Sequence, residues 1–112
     1  MVAGEVELAS KIDDFVRRLR SAVVVEAVIL YGSHGRGEAN EWSDIDLAVV
    51  SPNFEGKSVF QVQEIIARST VGRAYRISPI GYPSSEYHKP GRHSFLGEII
   101  RTGRVVYEAP VQ

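Results

Sequence analysis

Two apolar runs on either side of a glycine-rich polar loop constrain the fold more than any other feature of the sequence. The run VVVEAVILY predicts a largely buried strand over 23–31, and DIDLAVVS predicts a second strand over 44–51, because both are rich in β-branched residues. The loop between them contains Gly32, Gly35 and Gly37. We therefore expect this loop to join two strands of one sheet.

Three segments have the apolar spacing of amphipathic helices. Apolar residues recur every three or four positions over 5–21, 56–70 and 95–103. The expected buried side of the last helix is formed by Phe95, Leu96, Ile99 and Ile100. Gly103 is expected to end that helix, since glycine is common where helices stop.

The remaining segments predict a third strand, a loop and an extended end. Residues 73–83 alternate as a strand, in which Pro79 indicates a sheet edge or a bulge because proline donates no ladder hydrogen bond. Residues 84–94 predict a loop, and 104–108 predict a short extended segment. The order of elements suits one domain over 1–112, with a small sheet whose helices pack mainly on one face and leave the other open.

Composition excludes several classes of protein. A net charge of −1 gives no support to broad electrostatic binding of nucleic acid, and the absence of cysteine excludes disulfides and cysteine-ligated zinc. The first twenty residues lack the basic and then apolar pattern of a secretion signal, and no segment approaches the ~18 apolar residues needed to span a bilayer. We expect a soluble, unprocessed cytoplasmic protein that makes no membrane contact.

Asp44 and Asp46 stand at the start of the second strand. Because alternate residues of a strand share a face, both carboxylates project to the same side and repel each other. A divalent cation resolves this repulsion, and hard oxygen ligands suit Mg²⁺ or Mn²⁺. The alternative is a solvated pair, or one that pairs with lysine or arginine, and the aspartates alone do not decide between these interpretations.

The preceding loop favours a phosphate site. Gly32, Gly35 and Gly37 permit close approach to the backbone, and Gly-Ser directly after a buried strand can begin a short helix with free N–H groups. The Ser33 hydroxyl and the charged Arg36 are suited to holding phosphate oxygens. The loop matches neither the Walker-type phosphate loop nor the dinucleotide fingerprint.

The stretch YGSHGRGEANEWSDIDLAVV resembles the signature of the DNA polymerase β-type nucleotidyltransferase superfamily: Gly-Ser, a loop of about ten residues, then Asp-x-Asp at the head of a strand. The Arg-Gly and SDIDL elements make it most similar to the minimal nucleotidyltransferases of bacteria and archaea, which often pair with a small helical HEPN protein as a toxin–antitoxin system. The resemblance implies an α/β (α+β) fold with a small mixed sheet.

The resemblance also implies a reaction. A hydroxyl attacks the α-phosphate of a nucleoside triphosphate, expected to be ATP, and pyrophosphate is released. Asp44 and Asp46 are the expected catalytic residues and the expected ligands of Mg²⁺ or Mn²⁺. Gly32 and Ser33 are expected to contact the β- and γ-phosphates, and Arg36 is expected to add a further phosphate contact. The expected acceptor is a tyrosine of a HEPN-type partner; nucleic acid is expected only as an acceptor, and a homo-oligomer remains open.

One departure from the superfamily pattern puts catalysis in question. Fully active members usually supply a third carboxylate from the following strand, where this sequence has Ser78 or a neighbour, and Glu86 lies beyond Pro83. The alternative function is therefore a catalytically weak or inactive module that binds nucleotide or a partner. Transfer to a small molecule is the third possibility, and the short chain leaves no room for the extra substrate domain it usually needs.

Further residues allow a structural and a functional interpretation. We expect His34 to be an exposed loop residue, although it lies inside the motif, and Trp42 either to stack on a base or to pack beneath the loop. A local basic cluster comprises His88, Lys89, Arg92 and His93. We expect this cluster to belong to a solvated loop and not to a binding surface.

Overall fold

The computed structural model describes residues 3–39, 43–69 and 76–110, and these contain four strands and five α-helices. The strands are β1 (Ala27–Tyr31), β2 (Ile45–Ser51), β3 (Ile77–Pro83) and β4 (Arg104–Glu108). The helices are α1 (Ala3–Arg20), α2 (Gly32–Gly35), α3 (Val59–Ser69), α4 (Ser84–His88) and α5 (Phe95–Thr102). A single 3₁₀ turn, Pro52–Phe54, follows β2.

The strands form one mixed sheet in the order β3–β2–β1–β4. Strand β1 pairs antiparallel with both β2 and β4, and β2 pairs parallel with β3. The predicted α/β class with a small mixed sheet is confirmed. Strand β3 lies at one edge of the sheet, which is where Pro79 indicated that it would lie.

The first face of the sheet carries the larger hydrophobic core. Leu30 and Leu47, both fully buried, pack in this core with Leu19 of α1 and with Val62 and Ile66 of α3. These two helices are the longest in the described chain, and their apolar stripes meet the sheet as the periodicity predicted.

The second face is covered in part, so the expectation of an open face is wrong. Ile29 and Val50 pack there with Leu96 and Ile99 of α5, each of which is 2% exposed. The predicted burial of Phe95 is also wrong, because this residue is 55% exposed at the start of α5. A helix buries only the residues that face the sheet, and Leu96 and Ile99 already occupy that side of α5.

Two element boundaries differ from the prediction, one at the start of β1 and one after β3. Strand β1 begins at Ala27, four residues later than predicted, and Val24 is instead exposed with its N–H bonded to Asn53 Oδ1 at 2.7 Å. Helix α4 replaces the first part of a predicted loop, beginning after Pro83 in extended conformation. The start of the predicted third strand, 73–75, lies outside the described residues, as does Trp42.

Within the described ranges, no helix combines the length and the apolar composition that crossing a bilayer requires.

Candidate active site

The glycine-rich turn begins where β1 ends. Gly32 to Gly35 form the one-turn helix α2, whose Gly32 carbonyl accepts from Arg36 N–H at 3.1 Å. The Ser33 carbonyl accepts from Glu38 N–H at 2.8 Å and holds the end of the turn. The expectation that Gly-Ser begins a short helix is confirmed.

Gly32 lies directly against Asp46. Its φ is +69°, and a Cβ added at this position would overlap the Asp46 carboxylate. The two residues meet because Tyr31, which precedes Gly32, is the partner of Asp46 in the antiparallel register of β1 and β2. The turn and the acid are therefore in contact, and only glycine leaves room for both.

The two aspartates differ in environment. Asp44 precedes β2 and is exposed, whereas Asp46 lies within the strand and is partly buried. Burial raises the pKa of Asp46, and the nearby Asp44 charge raises it further, while His34 and Arg36 oppose this shift. The surroundings of the Asp46 carboxylate therefore disfavour its charged form unless a positive charge lies nearby.

This donor set fits a divalent cation. Two carboxylates share one end of the site, and the raised pKa of Asp46 reports the desolvation and like-charge repulsion that a bound cation relieves. A Cβ on Gly32 would collide with the Asp46 carboxylate oxygen, so this oxygen lies directly against the turn. Over the described parts of the chain, no group of three or more His, Asp or Glu side chains is arranged to hold a metal ion. Asp44 and Asp46 therefore have no third acidic or histidine side chain arranged with them among the described residues.

Ser33 and Arg36 lie on the same turn. Ser33 is partly exposed, and Arg36 extends into solvent, where its Nε lies 3.5 Å from Glu38 Oε1. Both members of this ion pair are more than half exposed, at 55% and 65%, so the interaction is weak and the guanidinium is available to a stronger anion.

His34 does not lie exposed as expected. It is partly buried, and its Nε2 atom is enclosed without a hydrogen-bond partner in the described structure. The reason is that α2 folds back onto the strand ends instead of extending into solvent, and it brings the imidazole close enough to influence the pKa of Asp46.

Ser78, which was expected at or next to the place of a third carboxylate, lies beside Asp46 in the sheet. In the parallel register of β2 and β3, Ser78 is the partner of Asp46, and the two side chains share the second face of the sheet. Ser78 is exposed and carries no charge. Glu86 lies farther along the chain, in α4. The pKa of Tyr82 is raised mainly by burial, and the charge of Glu86 raises it further.

Aromatic residues that the sequence did not single out border the site. Tyr31 contacts Phe95 edge to face, with ring centroids 5.8 Å apart and an interplanar angle of 86°. The pKa of Tyr31 is raised by burial, then by the charges of Asp46 and Tyr82. No spacing in the sequence could reveal this group, since its members come from β1, β3 and α5.

The local basic cluster lies elsewhere and is largely solvated. Lys89, Arg92 and His93 are exposed, and His88 pairs with Glu26. This arrangement agrees with the interpretation as a solvated segment.

Solved structures show a similar fold. A candidate nucleotidyltransferase from Sulfolobus solfataricus matches 92% of this chain and 82% of its own, with a TM-score of 0.71 and 18% identity. A chain from the crystal structure of a toxin–antitoxin with AMP-PNP matches 87% of this chain and 73% of its own, with a TM-score of 0.55 and 14% identity. At these identities the likeness concerns the fold alone.

Sequence comparison identifies the family. No curated protein sequence matches the chain significantly. The model of the nucleotidyltransferase domain family matches residues 9–89, which is more than half of the chain and includes Gly32, Asp44, Asp46 and Ser78. The chain therefore belongs to the nucleotidyltransferase domain family.

Proposed function

We propose that this protein transfers a nucleoside monophosphate from a nucleoside triphosphate, most simply ATP, to a hydroxyl acceptor. The observation that carries the proposal is the contact between the Gly32 turn and Asp46, which brings the start of a short helix against one member of the aspartate pair. Membership of the nucleotidyltransferase domain family supports the reaction class. In this reaction the acceptor oxygen bonds to the α-phosphorus, the bond to the β-phosphate breaks, and pyrophosphate and a proton leave.

Each residue of the site has a physical role in this proposal. Gly32 lets the phosphate chain approach the backbone, the Ser33 hydroxyl donates to a phosphate oxygen, and Arg36 adds a mobile positive charge. Asp44 and Asp46 would hold Mg²⁺ or Mn²⁺, which supplies charge neutralisation at the phosphates. Their repulsion and the partial burial of Asp46 favour cation binding over an empty pair.

The acceptor we propose is a tyrosine of a small helical HEPN-type protein, so that transfer would serve an antitoxin role. The support is the similarity of fold to a chain from a toxin–antitoxin structure, together with the close resemblance of the YGSHGRG and SDIDL elements to minimal nucleotidyltransferases.

Label transfer tests this proposal. The purified protein, ATP labelled at its α-phosphate, Mg²⁺ and a HEPN-type partner should give a labelled partner. The double change Asp44→Asn and Asp46→Asn should abolish labelling, whereas Asp13→Asn, on the exposed side of α1, should leave it unchanged. Equal labelling by the double variant excludes the mechanism.

A second candidate function is a nucleotide-binding or partner-binding module without catalysis. The observation that favours it is Ser78, which stands opposite Asp46 where active superfamily members usually have an acid. In this case the double aspartate variant should still bind and neutralise the partner, and no labelling should occur with the unaltered protein. Loss of neutralisation in that variant counts against the module.

A further inference from the structure

Phe95 is an exposed aromatic residue on a helix that two other side chains hold to the sheet. It is 55% exposed as the first residue of α5, while Leu96 and Ile99 of the same helix are 2% exposed and anchor it to the sheet. Ser94 caps the helix by accepting from Gly97 N–H at 3.0 Å. Since Leu96 and Ile99 hold α5 to the sheet, more than half of the Phe95 side chain stays accessible to a ligand.

The position of the ring connects it to the candidate site. Phe95 contacts Tyr31 at 5.8 Å, and Tyr31 both precedes Gly32 and pairs with Asp46. One side chain therefore separates the exposed ring from the turn and the acid. Of the other exposed large apolar residues in the described chain, Val59 and Phe60 are on α3, against the opposite face of the sheet. Val24 precedes the far end of β1, and Val105 is on the edge strand β4.

The contact with Tyr31 does not cover both faces of the Phe95 ring. An edge-to-face arrangement at 86° occupies at most one face of either ring, and Phe95 is 55% exposed. An accessible aromatic ring next to the proposed phosphate site is suited to stacking on a nucleobase, which is flat and presents a π-face whatever its identity.

We infer that Phe95 is the stacking platform for the base of the bound nucleoside triphosphate. This inference rests on the proposed function, which locates the phosphates at Gly32 and Ser33. It adds that the protein recognises a nucleotide through its base as well as its phosphate chain, with little discrimination between bases, because stacking is tolerant of base identity.

Equilibrium binding of two ligands tests the inference. ATP and inorganic tripolyphosphate, each with Mg²⁺, are titrated into the unaltered protein, Phe95→Ala and Phe60→Ala. Phe60 is a matched control, since it is also an exposed phenylalanine at the start of a helix. We expect the unaltered protein to bind ATP more tightly than tripolyphosphate, and Phe95→Ala to weaken ATP binding by roughly tenfold. Tripolyphosphate binding should be the same in all three proteins, which also shows that the variants are folded.

Two results overturn the inference and separate it from the proposed function. If Phe95→Ala binds ATP as tightly as the unaltered protein, the base lies elsewhere while the phosphate site stands. If the unaltered protein binds neither ligand, the nucleotide site itself fails, and the stacking platform fails with it. A Phe95→Trp variant that binds ATP at least as tightly as the unaltered protein adds support, because a larger aromatic face preserves stacking.

Discussion

At the scale of single residues, position 32 requires glycine for two independent reasons. Its φ of +69° lies in the left-handed region that a Cβ disfavours, and a Cβ there would overlap the Asp46 carboxylate. Gly56 has a similar φ, +72°, but a Cβ added there meets nothing within 4 Å. A substitution at Gly56 therefore introduces backbone strain alone, whereas a substitution at Gly32 introduces strain and also crowds the Asp46 carboxylate.

We expect Gly32→Ala to abolish ATP binding, because the new methyl group displaces the Asp46 carboxylate that faces the turn. Gly56→Ala should lose about 1 kcal/mol of unfolding free energy through backbone strain and keep its affinity for ATP. Urea denaturation and ATP titration of both variants measure the two effects. Unchanged ATP affinity in Gly32→Ala would show that the turn is not part of the site.

Ser78 offers a direct test of the missing carboxylate. Because Ser78 is the register partner of Asp46 on the same face, Ser78→Asp introduces an acid beside Asp46 on the neighbouring strand. If transfer is slow for want of this acid, the rate of labelling with Mg²⁺ should rise by about tenfold or more. Ser78→Asn matches the size without the charge and should not raise the rate. An equal rate in Ser78→Asp and the unaltered protein would mean that the third acid does not limit transfer.

At the scale of elements, α3 protects the exposed edge of the sheet. Gln63 donates from Nε2 to the Pro79 carbonyl at 2.9 Å and accepts from Gly81 N–H at 3.3 Å. These backbone groups belong to the edge strand β3, where they would otherwise be open to another strand. A Cβ on Gly81 would approach Phe54 Cε2 to 2.9 Å, so the absence of a side chain lets the neighbouring elements pack closely.

We expect Gln63→Leu to lower the free energy of unfolding by about 1–3 kcal/mol, because it removes both hydrogen bonds from a partly buried place. Glu64→Gln on the same helix is the control, since it removes only an exposed ion pair with Arg68 and should change stability by less than about 0.5 kcal/mol. Urea denaturation measures both values. Equal stabilities of the two variants would mean that the Gln63 contacts contribute nothing.

The sequence predicted those elements whose signals are local. Apolar periodicity identified α1, α3 and α5, and runs of β-branched residues identified β1 and β2. Strand alternation indicated that Asp44 and Asp46 project together. Helix α4 was missed because five polar and aromatic residues after a proline carry no apolar period. The exposure of Phe95 and its contact with Tyr31 depend on the docking of α5 against β1, which no spacing within either segment encodes.

At the scale of the whole molecule, the second face of the sheet combines a small apolar core with a set of phenols. Tyr82 and Tyr87 pack against this core. Burial raises the pKa of both above the usual value, with Glu86 adding to the shift at Tyr82, and Glu108 and Glu26 adding to it at Tyr87. Ionisation of either phenol should therefore weaken its packing against this face.

This coupling predicts a loss of stability in alkali. Because the pKa of each phenol is higher in the folded protein than the value of about 10 in the unfolded chain, the stabilising contribution is complete below about pH 10 and is lost as pH rises through the folded pKa values. We expect the free energy of unfolding, measured with urea, to fall as the pH rises above about 10. The phenol contribution is the part of the fall that disappears in a variant carrying Tyr82→Phe and Tyr87→Phe. Phenylalanine keeps the ring in the core and cannot ionise, and an equally steep fall in this variant would assign the pH dependence to other groups.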